Sequence, residues 1–165
     1  MPKPTFFNLP AEKRATIVDL ALDEFAAHDF DTASISRIVR RAGIAKGSFY
    51  QYFADKADLH HYLLSLAFEK KRALLGSPPD PEMGMFDFMR WLLEKGIAFE
   101  LENPRLSQIG LRAVQNDQLP AALRAAGEGM SGDFFAKLLA QGKASGEVRA
   151  DVNEETAAFL FTAVF

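Results

Sequence analysis

The sequence contains no cysteine, which excludes a disulfide framework, a cysteine-ligated zinc site and thiol chemistry. No apolar run approaches the roughly 20 residues that a membrane-spanning helix needs. The first residues lead into no apolar segment of the kind found in secretory signals. These absences favour a cytoplasmic protein with no membrane partner. The formal net charge of −3 excludes a general affinity for polyanions, so a contact with nucleic acid requires a local basic patch.

Strand signals are also scarce, whereas helical periodicity is frequent. In the first 30 residues, apolar side chains recur at the spacing i, i+3, i+4 and i+7 at Val18, Ala21, Leu22 and Phe25. This stripe predicts a helix over residues 10–28. The chain is therefore predicted to be all-α.

Six further helices, and a last apolar helix after them, are predicted from periodicity and from their end signals. Gly43 is expected to end the second helix in a left-handed conformation. Asp151 with Glu154 resembles a capping box before a last apolar helix. The sequence between residues 76 and 81 is rich in glycine and proline and predicts a linker. The six helices are predicted over residues 35–42, 46–52, 55–75, 83–102, 106–115 and 120–143.

Residues 34–56 have the pattern of a helix-turn-helix unit, with two short helices on either side of Gly43. Ile38, Val39 and Phe49 are expected to hold the two helices together. The unit carries one acidic residue, Asp55, and five basic ones: Arg37, Arg40, Arg41, Lys46 and Lys56. A basic patch on an acidic protein is what a sequence-specific DNA-binding protein needs. Helix-turn-helix geometry also occurs in proteins that bind no DNA, so both interpretations stand at this point.

The sequence between Phe25 and Leu59 closely resembles the signature of the TetR (tetracycline-repressor-like) transcriptional regulators. The matching residues are Ala42-Gly43-Ile44, Lys46-Gly47-Ser48-Phe49-Tyr50, Tyr52-Phe53 and Asp55-Lys56 followed by Leu59. The resemblance covers about the first 60 residues. It implies a helix-turn-helix DNA-binding domain over residues 1–54 and a helical ligand-binding and dimerisation domain over residues 55–165. It also implies a homodimer, a near-palindromic double-stranded DNA operator and a small-molecule effector.

The candidate DNA contacts lie at the start of the first short helix and along the second. Lys46, Tyr50 and Lys56 are predicted to contact phosphates, and the Gln51 amide is predicted to pair with an adenine edge. The full set comprises Ser34, Ser36, Arg37, Lys46, Gly47, Ser48, Tyr50, Gln51, Tyr52 and Lys56.

Phenylalanine is frequent, at 15 residues of 165. Most of these rings are expected in the core, but a group in the second half could instead line an apolar cavity. The resemblance implies such a cavity, which would hold an apolar or amphipathic inducer. Its candidate lining residues are Phe68, Phe88, Trp91, Phe99, Phe134 and Phe159.

Three features depart from the family pattern. Asp29 stands where glycine is usual after the first helix, and is expected to adopt a left-handed conformation. Ala45 stands where a serine usually caps the recognition helix. Phe165 ends the sequence within an apolar helical pattern, so a further helix is expected to be missing from this chain.

The sequence gives no sign of a metal site, a cofactor or a catalytic centre. Adjacent histidines, as at His60 and His61, point about 100° apart on a helix, so they do not readily bind one metal ion together. His28 is far from both in the sequence. No nucleophile elbow, phosphate loop or dinucleotide fingerprint is present. The missing motifs favour a protein that is not an enzyme, and the resemblance implies a repressor that a small ligand releases from DNA. The alternative is a helical small-molecule-binding protein without DNA binding.

Overall fold

The computed structural model describes residues 1–76 and 83–157, except for the side chains of residue 122 and residues 126–134. Over these residues the chain is all-α with no strand, as the periodicity predicted. Its helices are α1 (Pro4–Phe7), α2 (Ala11–Ala27), α3 (Ile35–Arg41), α4 (Lys46–Tyr52), α5 (Lys56–Leu75), α6 (Met85–Glu102), α7 (Pro104–Gln115) and α8 (Ala121–Ser145).

The chain divides into two compact units. The first contains Met1–Ala73 and Phe99–Leu119, and the second contains Leu74–Ala98 together with the chain from Pro120 onward. This geometric division is not the functional one predicted at residues 54 and 55, which stays a prediction.

The core of the first unit brings together apolar side chains from six helices, α1 to α5 and α7. Helix α2 packs against α3 and α7, and α4 packs against α1 and α3. The largest fully buried side chains are Phe6, Ile17, Ile38, Phe49, Phe53, Leu59, Leu63 and Ile109. This core fixes the helix-turn-helix unit on α2 and α5, because each of its two short helices contributes a side chain.

The second unit has a smaller core around Met85 and Phe135. The Glu147 carboxylate accepts a 2.6 Å hydrogen bond from the backbone N–H of Met85 and so satisfies one of the free donors at the start of α6. Helix α8 ends where Gly146 adopts a left-handed conformation, with φ at 83°. Leu138 and Leu139 complete the buried cluster, and Phe88, Met89 and Val148 pack around it.

Two expectations about local structure are wrong, and one short helix was not predicted. Helix α1 was not predicted, because four residues carry no periodicity. Asp29 is not left-handed: among the described residues other than glycine, positive φ occurs at Asp117, at 54°. The cap assigned to Asp151 belongs to Asn153, whose side-chain oxygen accepts from the Thr156 N–H at 2.8 Å.

Two expectations fall outside the described residues. These are the linker beyond residue 76 and the last helix beyond residue 157.

Candidate nucleic-acid interface

Helices α3 and α4 are joined by a tight turn at Gly43, which adopts a left-handed conformation with φ at 65°. The Ser34 hydroxyl accepts from the Arg37 N–H at 3.4 Å and caps α3. After the turn, the Ile44 N–H donates to the Val39 carbonyl at 3.0 Å. These contacts fix the direction in which the chain enters α4.

The outer face of α4 is exposed and free of acidic side chains. Phe49 is buried against the core, so the helix presents Lys46, Gly47, Tyr50 and Gln51 to solvent. Ser36 is exposed on α3, and Ser48 is half-buried. The two helices therefore present a polar surface on a rigid apolar base. No side chain caps the start of α4 at Ala45, as the missing serine predicted.

Arg37, a candidate DNA contact, is engaged by a buried carboxylate. Its guanidinium donates to Glu24 at 2.5 and 2.8 Å, and the Ser34 N–H donates to the same carboxylate at 2.7 Å. Burial raises the pKa of Glu24, but the hydrogen bonds from Arg37 and Ser34 outweigh it and leave that pKa below its usual value. Arg37 also donates to the Thr32 carbonyl at 2.8 Å. Arg37 thus joins α3 to α2.

The Glu24 contact could have been suspected from the sequence. Glu24 lies beside Ala21 and Phe25 on the apolar stripe of α2, and an acidic residue on a buried stripe needs a cationic partner.

Lys56 and Tyr52 are also held by the protein. The Lys56 ammonium donates to the carbonyls of Asp31 and Ala33, each at 3.1 Å, and lies 4.7 Å from the centre of the Phe30 ring. Tyr52 is only 8% exposed. The structure therefore brings Lys46, Tyr50 and Gln51 to one exposed face, whereas Tyr52 and Lys56 have contacts inside the first unit.

Asp23 of α2 links two further helices through a pair of arginines. It accepts from Arg41 of α3 at 2.8 Å and from Arg105 of α7 at 2.5 Å. The hydrogen bonds from Arg41 and Arg105 lower the pKa of Asp23. Arg105 also donates to Asp19 at 2.6 Å. Sequence reasoning missed this set of contacts, because its members are up to 86 residues apart.

The candidate ligand-pocket residues lie in both units. In the second unit, the rings of Phe88 and Trp91 are 5.5 Å apart. In the first, Phe99 is buried and Phe68 is half-buried. The side chain of Phe134 and the whole of Phe159 lie outside the described residues.

The described part of the chain holds no group of three or more histidine and acidic side chains arranged to bind a metal ion. None of the helices in that part is long and apolar enough to cross a membrane.

Two family models match this chain. Residues 17–63 match the bacterial regulatory proteins of the tetR family, and residues 83–165 match a tetracycline-repressor-like C-terminal domain. These families consist of regulatory proteins, in agreement with the expectation of a regulator rather than an enzyme.

Individual relatives support the same assignment. A TetR family transcriptional regulator from Chloroflexus aurantiacus J-10-FL is 49% identical, with a TM-score of 0.87 over 99% of this chain and 76% of that one. The CprB protein of Streptomyces coelicolor, solved in complex with its operator sequence, is 26% identical, with a TM-score of 0.65 over 90% of this chain and 74% of that one.

Among curated proteins, an HTH-type transcriptional regulator of Staphylococcus aureus strain USA300 is 26% identical over 97 residues, which are 59% of this chain and 52% of the relative. The match thus spans about half the length of that relative. Both halves of the sequence match the same family, and a solved member is similar along nearly all of it. The chain belongs to the TetR family of bacterial regulatory proteins.

Proposed function

We propose that this protein is a transcriptional regulator that binds double-stranded DNA in a sequence-specific way through α4. The observation that carries the proposal is the exposed, acid-free outer face of α4, held on the buried Phe49. A helix presented in this way fits the major groove, where base edges are distinguishable. The likeness to CprB, which was solved on its operator, supports the same use of the fold.

The exposed side chains divide into positioning and reading roles. Lys46 and Tyr50 carry an ammonium and a hydroxyl that suit phosphate oxygens, with the Gly47 backbone between them. Gln51 carries an amide that suits adenine. Ser36 and Ser48 are further contacts at the edge of this face. Ser34, Arg37, Tyr52 and Lys56 stay predicted DNA contacts. Ser34, Arg37 and Lys56 also have hydrogen-bond partners within the protein, and Tyr52 is largely buried.

A salt titration tests the phosphate contact. Each phosphate that the protein neutralises contributes about −0.9 to the slope of log K against log salt. Lys46→Ala is therefore expected to weaken binding to all sequences about equally and to reduce that slope by about 1. Lys13→Ala is the matched control, since Lys13 is an exposed lysine on α2. An unchanged slope would contradict the Lys46 assignment.

An operator selected from genomic fragments tests base reading. Gln51→Ala is expected to cost about 1–3 kcal/mol at one base pair and little elsewhere. Gln115→Ala, at an exposed position on α7, is the control. Equal weakening on every operator variant would instead make Gln51 a positioning residue. If no fragment is bound specifically, the alternative of a helical small-molecule-binding protein is favoured.

We further propose that the protein acts as a cytoplasmic homodimeric repressor on a near-palindromic operator. Apolar side chains on α6 support a dimer, because Phe86, Leu93 and Ile97 share one helix face and are 45–55% exposed in the single chain. A second short recognition helix would double the contact with DNA.

The effector is proposed to be a small apolar or amphipathic molecule bound by the second half of the chain. The Phe88–Trp91 pair and the many phenylalanines favour an apolar ligand. Coupling between sites is reciprocal, so a ligand that weakens operator binding must itself bind less tightly when operator is present. Titration of a ligand found by screening, with and without operator, checks this. Equal affinities would contradict regulation by that ligand.

A further inference from the structure

The N-terminal segment, defined here as residues 3–7, lies against the C-terminal end of α4. The last four carbonyls of a helix have no partner within it. The backbone N–H of Lys3 donates to the Tyr52 carbonyl at 2.8 Å, and the Lys3 ammonium donates to the Tyr50 carbonyl at 2.8 Å. The Thr5 hydroxyl donates to the Gln51 carbonyl.

The fourth carbonyl, that of Phe49, accepts from the Phe53 N–H at 2.9 Å. All four terminal carbonyls of α4 are therefore satisfied, three of them by the N-terminal segment. The Lys3 ammonium also places a positive charge at the negative end of the helix.

Phe6 anchors this segment. Its side chain is fully buried, and its ring centre lies 4.9 Å from that of Phe53 and 5.6 Å from that of Tyr62. Because α1 is fixed in this way, Lys3 and Thr5 are presented to α4 in one arrangement.

Helix α4 depends on this cap because its other end has none. The residue at that end, Ala45, makes no side-chain hydrogen bond to the first N–H groups. A helix of seven residues is marginal without outside contacts. Two proposed DNA contacts, Tyr50 and Gln51, are in the last turn, and their own carbonyls are the ones that Lys3 and Thr5 hold.

We propose that Lys3 and Thr5 are positioning residues that set the specificity of DNA binding by capping the recognition helix. The proposal rests on the proposed function of α4 in DNA binding. Loss of the cap frays the last turn, so the Tyr50 and Gln51 side chains no longer share one fixed geometry. Binding to the specific operator then weakens, whereas binding to random DNA, which depends on charge, changes little.

The first measurement uses the full chain without DNA. Thr5→Val removes the hydroxyl at nearly constant shape, and Thr5→Ser restores it. Amide hydrogen exchange of residues 50–53 is expected to be about threefold to tenfold faster in Thr5→Val, because one hydrogen bond contributes about that factor. Exchange in Thr5→Ser is expected to stay at the wild-type rate. Equal rates in all three proteins would overturn the cap.

The second measurement uses the operator that the wild-type protein selects. Thr5→Val and Lys3→Met are each expected to bind that operator about threefold to tenfold more weakly, with an unchanged salt slope and unchanged binding to random DNA. Lys3→Arg is expected to recover most of the loss, and Lys13→Met is the matched control.

Two results show whether the positioning role or the proposed function in DNA binding is wrong. If Lys3→Met weakens all sequences equally and lowers the salt slope by about 1, Lys3 contacts a phosphate and its positioning role is overturned. If exchange responds to Thr5→Val but the wild-type protein selects no DNA, the proposed function and the effect on specificity are overturned, while the cap itself is supported.

Discussion

At the scale of single residues, His60 on α5 is a buried base whose protonated form is disfavoured by the neighbouring His61 and Lys56. It is 4% exposed and lies 5.0 and 5.1 Å from the ring centres of Phe25 and Phe30. Burial, with smaller contributions from His61 and Lys56, lowers the pKa of His60 from 6.5 to about 4. His60 is therefore neutral in the folded protein at neutral pH.

The lowered pKa of His60 predicts a loss of stability in mild acid. Below pH 6.5 the His60 imidazole binds a proton in the unfolded chain but stays neutral in the folded chain. The free energy of unfolding therefore falls as the pH drops towards 4. We expect a loss of about 2 kcal/mol between pH 7.5 and pH 5, measured by urea unfolding. The carboxylates of Asp23 and Glu24 have lowered pKa values, so their protonation lowers the free energy of unfolding only at more acidic pH.

His60→Phe is expected to remove most of this pH dependence. A wild-type protein that is equally stable at pH 7.5 and pH 5 would show that folding does not lower the pKa of His60.

A second prediction concerns Asp29→Gly. This substitution would be neutral or stabilising at a left-handed position, but Asp29 is not left-handed. Its carboxylate lies 3.5 Å from Nη1 of Arg112, a buried nitrogen that has no hydrogen-bond partner among the described residues. Asp29→Gly removes this ion pair and also makes the unfolded chain more flexible. We expect it to destabilise the protein by about 1 kcal/mol in urea melts.

Asp31→Gly is the matched control, because it changes the same loop without touching Arg112. If both variants lose the same stability, the ion pair with Arg112 contributes nothing.

At the scale of helices, Asp23 couples α3 to α7 through Arg41 and Arg105. These groups are 35–47% exposed, so solvent screens each pair and reduces its contribution. A double-mutant cycle between Asp23→Ala and Arg105→Ala is expected to give a coupling energy of about 0.5–1 kcal/mol. The exposed pair Arg149–Asp151 is the control and is expected to show none. Additive effects at Asp23 and Arg105 would contradict the coupling.

Helix positions were largely predictable from the sequence, because apolar periodicity reports the buried face of each helix. The predicted bounds of α2 to α5 agree with the structure to within one residue, and those of α6 to α8 to within two. The turn at Gly43 was predictable because its conformation excludes most residues with a side chain.

Contacts between distant parts of the chain were not predictable. Glu24 with Arg37 and Lys3 with the Tyr50 carbonyl depend on how helices pack, which periodicity does not specify. For the same reason, the sequence could not distinguish Lys46, which faces solvent, from Lys56, which donates to two carbonyls. Both are basic residues in one motif, and only packing separates their roles.

At the scale of the whole molecule, a dimer on a near-palindromic operator is the expected active form. One seven-residue helix buries little DNA surface, so tight specific binding needs two copies. Sedimentation is expected to show a dimer at micromolar concentration, and the selected operator is expected to have two half-sites about one helical turn apart. Ile97→Glu on the exposed face of α6 is expected to weaken the dimer, with Lys71→Glu on α5 as the control. A monomer that binds a single half-site tightly would contradict this expectation.

The left-handed backbone at Gly43 also determines which enantiomer of alanine the turn between α3 and α4 accepts. Gly43 has φ at 65°, yet a Cβ atom added there would meet nothing within 4 Å. Space for a side chain is thus available. An L-residue is disfavoured at this position because the backbone is left-handed, and not because its side chain would clash with a neighbour. L-alanine at this position is expected to cost about 1–2 kcal/mol. D-alanine, introduced by chemical synthesis, is expected to stabilise the protein by up to about 1 kcal/mol, because it fits the turn and restricts the unfolded chain.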